Sequence, residues 1–188
     1  FAALLEMHGV TALCDVRSKP YSQFNPQFNR ESLKKSLREH GISYVFLGKE
    51  LGARSEDHAC YEHGKVQYDR LARTDLFRAG LDRIRNGTEK YQVALMCAEK
   101  EPLECHRTIL VARSLEELGF DVHHIHADGR AESHAQALSR LIRLLRLSAD
   151  DMFSTRELAV SDAYRIQAER IAYQTDAPTR GDGRGVAG

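Results

Sequence analysis

The stretch "YQVALMCAEKEPLECHRTILVARSLEELG", residues 91–119, decides the fold. Its first seven residues form a short, mostly apolar run, the pattern of a strand buried on both faces. The segment "AEKEPLE" that follows is polar and acidic. After it the spacing changes: Ile109, Ala112, Leu115 and Leu118 recur every three residues as the buried stripe of a helix. Pro102 suits a first helical turn, and Gly119 is the stop. A strand feeding a helix through one loop is half of a parallel crossover unit.

The same alternation repeats outward along the chain. "VTALCDV" reads as a buried strand, and "RSKPYSQFNPQFN" breaks regular structure with its prolines and asparagines. Asn29 caps the helix "RESLKKSLREH", which Gly41 ends. "ISYVFLG" is the next strand. "KELGARSEDHACYEHGKVQ" reads as a long polar loop, and "YDRLARTDLFRAGLDRIRNG" as one amphipathic helix burying Leu71, Leu81 and Ile84. "DVHHIHA" then gives a strand and "SHAQALSRLIRLLRLS" a helix. This order predicts an α/β, three-layer, Rossmann-like domain with a mainly parallel sheet flanked by helices. The chain opens at Phe1 inside a helix-like run that Gly9 ends, so an N-terminal strand is expected to be missing. The α/β domain is assigned to 1–148, a helical extension to 149–174, and a disordered, Gly-rich tail to 175–188.

Composition narrows the function classes. Lys plus Arg number 27 and Asp plus Glu 27, so the net charge is zero and any nucleic-acid contact needs a local patch. No stretch is apolar enough to span a bilayer, and the start is not a signal peptide. Four cysteines in 188 residues make no disulfide scaffold and fit a reducing, cytoplasmic location.

In an open parallel sheet, ligands bind beyond the carboxyl ends of the strands. That rule gathers Asp15 and Arg17 from one strand end, Gly48, Glu50 and Gly52 from another, Cys97 and Glu99 from a third, and His126 and Asp128 from a fourth. Cys105, His106 and Arg107 begin the helix beside them. Cys105 sits near a positive helix end, which favours a thiolate, but Glu99, Glu101 and Glu104 oppose it. The loop also lacks the glycines of an anion cradle. The Cys97, Cys105, His106, His124 and His126 spacing matches no compact zinc pattern, so neither a metal nor another cofactor is expected. Arg17 and Arg107 are two guanidiniums suited to a phosphate or carboxylate. Tyr21, Phe24 and Phe28 lie among Lys19, Asn25 and Arg30, a mixture that can stack a base and hold its phosphate. Arg140, Arg143 and Arg146 read as a solvated helix face.

Four motifs in order, "DVRSKPYSQFNPQFN", "ISYVFLGKELGAR", "VALMCAEKEPLECHR" and "HIHADGRAESH", resemble the bacterial family known as domain of unknown function 488. The resemblance covers about residues 1–147 and lacks the family's opening Thr-Ile-Gly-His-Ser-like strand. It implies a compact α/β domain with shared polar residues and no agreed reaction. Those residues fall here on Asp15, Arg17, Ser18, Tyr44, Gly52, Cys97, Glu99, Cys105, His106 and Arg107, nearly the same rim. "LCDVR" also resembles the strand-end Asp-x-Arg of rhodaneses.

The readings this leaves are distinct. In one, the rim binds or processes a small anionic ligand, phosphate-bearing and of nucleotide or nucleic-acid type. Cys97, Glu99, Cys105 and His106 would be catalytic there. Asp15, Arg17, Ser18, Tyr21, Tyr44, Gly52 and Arg107 would bind the ligand. In a second, the chain is a rhodanese-like or phosphatase-like cysteine enzyme. In a third, it is a non-catalytic binding module. In a fourth, Asp15, Arg17, Cys105 and Arg107 form a buried structural network. The convergence of acid, base, thiol and guanidinium leans toward an enzyme and leaves reaction class and oligomeric state open.

Overall fold

The computed structural model describes residues 1–147 and 155–175. Strand β1 (Ala12–Asp15) lies at the centre of a parallel three-stranded sheet, between β2 (Ser43–Phe46) and β5 (Val93–Met96). All four residues of β1 are buried, as its apolar run requires. Alternation along it sends side chains to opposite faces. Leu13 packs with Leu5, Val10, Leu33, Leu37 and Ile42 beneath α1 (Ala2–Met7) and α2 (Arg30–Glu39). Cys14 and Val16 join the larger core on the other face. That core takes Leu71 from α3 (Tyr68–Ala72) and Phe77, Leu81 and Ile84 from α4 (Asp75–Thr88). The result is an α/β domain with a parallel sheet between helical layers.

Between β2 and α3 the segment expected to be one polar loop holds a short antiparallel ribbon, β3 (Tyr61–Glu62) with β4 (Lys65–Val66). Its turn carries His63 and Gly64 at φ 49 and 78. The helix expected over 68–87 is two. Thr74 accepts the Phe77 N–H at 3.2 Å and starts α4 afresh, a side-chain cap that outweighs continuous periodicity.

The segment after β5 is also divided. Pro102–Glu104 is a single 3-10 turn, Cys105 is extended, and a new helix begins at His106. Its first part, Arg107–Ala112, is π-helical and runs into α5 (Arg113–Glu117). Thr108 through Ala112 are all buried, so this wide turn is held by the core on every side.

The strand expected in "DVHHIHA" forms as β6 (His123–Ile125), but outside the parallel sheet. It pairs antiparallel with β7 (Ala131–Ser133). A capping box between Ser133 and Gln136 then starts α6 (His134–Leu144). Helix α7 (Arg156–Ile171) buries Ala159, Ala163 and Tyr164 in the larger core, and Gln167 donates to the Leu103 carbonyl at 2.8 Å. No helix among the described residues is long and apolar enough to cross a membrane. The expected domain boundary at 148 and the tail from 176 onward lie outside the described residues.

Candidate functional site

β1 and β5 are neighbours, so the groups just beyond their carboxyl ends meet. On the β1 side, Asp15 is fully buried and Arg17 is 6% exposed. Strand alternation puts both on one face. Arg17 Nε and Nη2 donate to the two Asp15 oxygens at 2.8 and 2.6 Å, and Nη2 also reaches the Phe28 carbonyl at 2.9 Å. Tyr44 from β2 donates its hydroxyl to the same carboxylate at 2.7 Å. Burial works against the Arg17 charge, but hydrogen bonding and the Asp15 charge outweigh it and hold its pKa above the ordinary guanidinium value. Burial, with Asp15 beside it, pushes the Tyr44 phenol well up.

This network is braced from behind. A Cβ on Gly48 would fall 2.0 Å from the Arg17 carbonyl, and one on Gly52 would fall 2.4 Å from Ser18 Oγ. Ser18 Oγ in turn accepts the Arg54 N–H at 3.0 Å. Ser18 and Gly52 therefore shape the turn that carries Arg17. Tyr21 stands 71% exposed on the loop outside the network.

On the β5 side, Cys97 follows the strand directly, and the 3-10 turn at Pro102–Glu104 folds the chain back on it. Cys97 Sγ lies 3.5 Å from His106 Nδ1, and Cys105 Sγ lies 4.0 Å from the same nitrogen. The Cys105 thiol donates to Glu99 Oε2 at 3.1 Å, while the Arg107 backbone N–H donates to that sulfur at 3.3 Å. One ligand-type atom from each of Cys97, Glu99, Cys105 and His106 lies within 4.8 Å of all the others. These four can hold a metal ion, although their spacing in sequence resembles no compact zinc motif. The break in helix at Cys105 is what brings them together.

Hydrogen bonding with Cys105, then burial, pushes the Cys97 thiol above its ordinary range. Glu99 is subject to burial that would raise it, yet hydrogen bonds from the two thiols hold it below the usual carboxylate range. His106 is buried, and its Nε2 has no hydrogen-bond partner among the described residues. Tyr68, which the sequence alone did not mark, is buried next to the cluster; burial first, then the neighbouring thiols and Glu99, push its phenol up.

Two further polar clusters flank the site. Arg140 forks onto Glu132 at 3.0 and 2.8 Å and reaches Glu101 at 2.8 Å. His126 meets Glu132 at 2.8 Å. Arg140 is thus an ion-pair centre, not part of a solvated face. The sequence signal for this was the Ser133–Gln136 capping box, which fixes where α6 starts and places Arg140 two turns along it. A groove of about 380 Å³, lined by Glu99, Lys100, Glu101, Glu104, His126 and Ala127, opens beside the cluster. Behind β6, His124 Nε2 meets His134 Nδ1 at 2.9 Å, and His134 Nε2 meets the Tyr164 hydroxyl at 2.7 Å.

Arg107 enters no ion pair among the described residues. All four cysteines are free thiols; Cys14 and Cys60 are buried in the larger apolar core. Among known proteins, no curated sequence and no solved structure matches the chain. The family model described as "Domain of unknown function DUF488" matches residues 1–114.

Proposed function

The chain belongs to the DUF488 family, and from that premise we infer that it is an enzyme acting on a small, phosphate-bearing anion at the carboxyl-end rim of its sheet. One observation carries the reading: Cys97, Glu99, Cys105 and His106 supply two thiols, an acid and an imidazole within 4.8 Å of one another, beyond the carboxyl end of β5 and beside the central strand β1. Glu99 and His106 are the groups that move protons. Asp15, Arg17 and Tyr44 are the rigid wall beside them. Arg17 spends its fork on Asp15 and Phe28, so the ligand-facing guanidinium is Arg107, which no carboxylate of the described residues engages.

The experiment titrates pyrophosphate and a panel of nucleoside mono-, di- and triphosphates into the full chain by calorimetry, and assays each for product. Binding that falls at least tenfold in Arg107→Met and survives in Arg130→Met supports the reading. Affinity unchanged in Arg107→Met, or no binding and no product with any ligand, removes it.

A cysteine-enzyme reading draws support from the 3.5 Å contact between Cys97 Sγ and His106 Nδ1, a thiol beside its own base. There Cys97 is the nucleophile and His106 takes its proton. Turnover that survives Cys97→Ser sinks this version while leaving the anion reading intact.

A further inference from the structure

Cys97, Glu99, Cys105 and His106 are set on two rigid supports. Cys97 is the first residue beyond β5, and Cys105 leads into a helix that begins at His106 and buries Thr108 through Ala112. We propose that these four side chains bind one divalent thiophilic cation of the zinc class, with Cys97, Cys105 and His106 as fixed ligands and Glu99 as the exchangeable fourth.

The donor set favours that cation. Two sulfurs and an imidazole select zinc or ferrous iron over magnesium or calcium, which take oxygen ligands. Three protein ligands of this kind with a fourth, displaceable position are the pattern of a catalytic rather than a structural zinc site. Glu99 fits the displaceable role because it sits on the loop, is exposed, and borders the groove. Two separate observations point the same way. His106 is buried and its Nδ1 turns to both sulfurs, at 3.5 and 4.0 Å, so that nitrogen's contacts lie inside the cluster. The Arg107 N–H already donates to Cys105 Sγ, the hydrogen bond that supports a metal-bound thiolate from outside the ligand shell.

The neighbouring clusters show why the site is here and not elsewhere. His126, Glu132 and Glu101 also gather, but the Arg140 guanidinium already fills the centre of that group with positive charge. Cys14 and Cys60 are buried among apolar side chains. On binding, the cation displaces the Cys97 and Cys105 thiol protons to solvent, two per ion, and takes the neutral imidazole through Nδ1. The inference deepens the anion reading, on which it rests for its ligand. The two released protons offset the charge of the cation, so what it adds is a coordination position that a phosphate oxygen takes when Glu99 leaves; with His106 held as a ligand, the displaced Glu99 is the group that moves protons.

The test strips the full chain with EDTA and titrates it with Co2+ alone, following the thiolate-to-cobalt charge-transfer band and the proton release. One equivalent bound with two protons released is expected. That binding is lost in Cys97→Ser and in His106→Gln and kept in Cys14→Ser, with circular dichroism checking that each variant folds. Should His106→Gln fail to fold, Cys97→Ser decides alone, since Cys97 is partly exposed. No charge-transfer band, or a band unchanged in folded Cys97→Ser, overturns the proposal. Co2+ binding without any phosphate ligand leaves the metal centre standing and removes the anion function. Ligand turnover in EDTA with no cobalt band does the reverse.

Discussion

Arg17 grips the carboxylate of Asp15 with two guanidinium hydrogen bonds at 2.8 and 2.6 Å, and both side chains are buried. Such a pair is costly to break from one side, because the survivor is left charged without a partner. Asp15→Asn is expected to destabilise the fold by about 3–5 kcal/mol in urea unfolding at pH 7. Asp15→Asn combined with Arg17→Met should cost less than the two single changes summed, since both act on one interaction. Additive costs, or a loss under about 1 kcal/mol for Asp15→Asn, would show that water or another group relieves the pair.

That pairing was half legible in the sequence. Asp15 and Arg17 stand two apart on a strand, so they share a face, and the rim rule placed both at its edge. The sequence did not show that the fork closes inward on Asp15 instead of outward on a ligand. That depends on Tyr44 arriving from β2 and on the Phe28 carbonyl, both set by tertiary packing. The Cys97 cluster divides in the same way. A strand end at Met96 and a helix near Cys105 follow from periodicity. The distance between the two sulfur-bearing segments does not, because it hangs on one 3-10 turn and the extended backbone of Cys105. Likewise, the single helix expected over 68–87 broke at Thr74 because a hydroxyl cap is a local event that an apolar period does not register.

Gly48 and Gly52 test how tightly the turn bearing Arg17 is braced. A Gly48→Ala methyl would meet the Arg17 carbonyl at 2.0 Å, and a Gly52→Ala methyl the Gly48 carbonyl at 2.3 Å. Neither obstacle is the end of a flexible side chain. Each change is expected to cost roughly 1–3 kcal/mol, the range of overpacked sites, with Gly48→Ala the larger. Gly87→Ala is the opposite control. Its nearest contact is 3.9 Å away on a helix, so removing a helical glycine there should add about 0.5–1 kcal/mol. Equal melting temperatures for Gly48→Ala and Gly87→Ala would contradict this account.

The Glu132–Arg140 fork gives a prediction at acid pH. Hydrogen bonds from Arg140, partly offset by burial and helped by His126, hold the Glu132 carboxyl down at about 2, against 4.5 for an ordinary glutamate. A depressed carboxyl contributes stability that is fully present above pH 4.5 and is lost as pH falls through about 2. Glu132→Gln is therefore expected to be less stable than the unaltered chain at pH 7, by about 2 kcal/mol, short of the cost of a fully buried pair because Arg140 is partly exposed. The gap should narrow steadily below pH 4.5. Urea midpoints for both proteins across that range are the measurement, and a constant gap would count against the ion pair as its source.

The buried histidines act over a different window. Burial, followed by the charges of His134 and Arg107, pushes His124 down to about 3, and burial pushes His134 down to about 4, from 6.5 in the unfolded chain. Both are neutral in the fold. As pH falls below 6.5 the unfolded chain binds protons that the folded chain refuses, so stability declines from 6.5 until the folded values are reached. The slope per group is about 1.4 kcal/mol per pH unit at most. His134→Gln keeps a donor toward one neighbour and an acceptor toward the other, yet removes one titrating ring between His124 and Tyr164. It should roughly halve the decline between pH 6 and 4 while costing some stability at pH 7. Because α7 contributes Tyr164 to this chain of hydrogen bonds, proteolysis at pH 5 should cut the unaltered protein at α7 before it cuts the sheet. An acid decline as steep in His134→Gln as in the unaltered chain would assign the proton uptake to other groups.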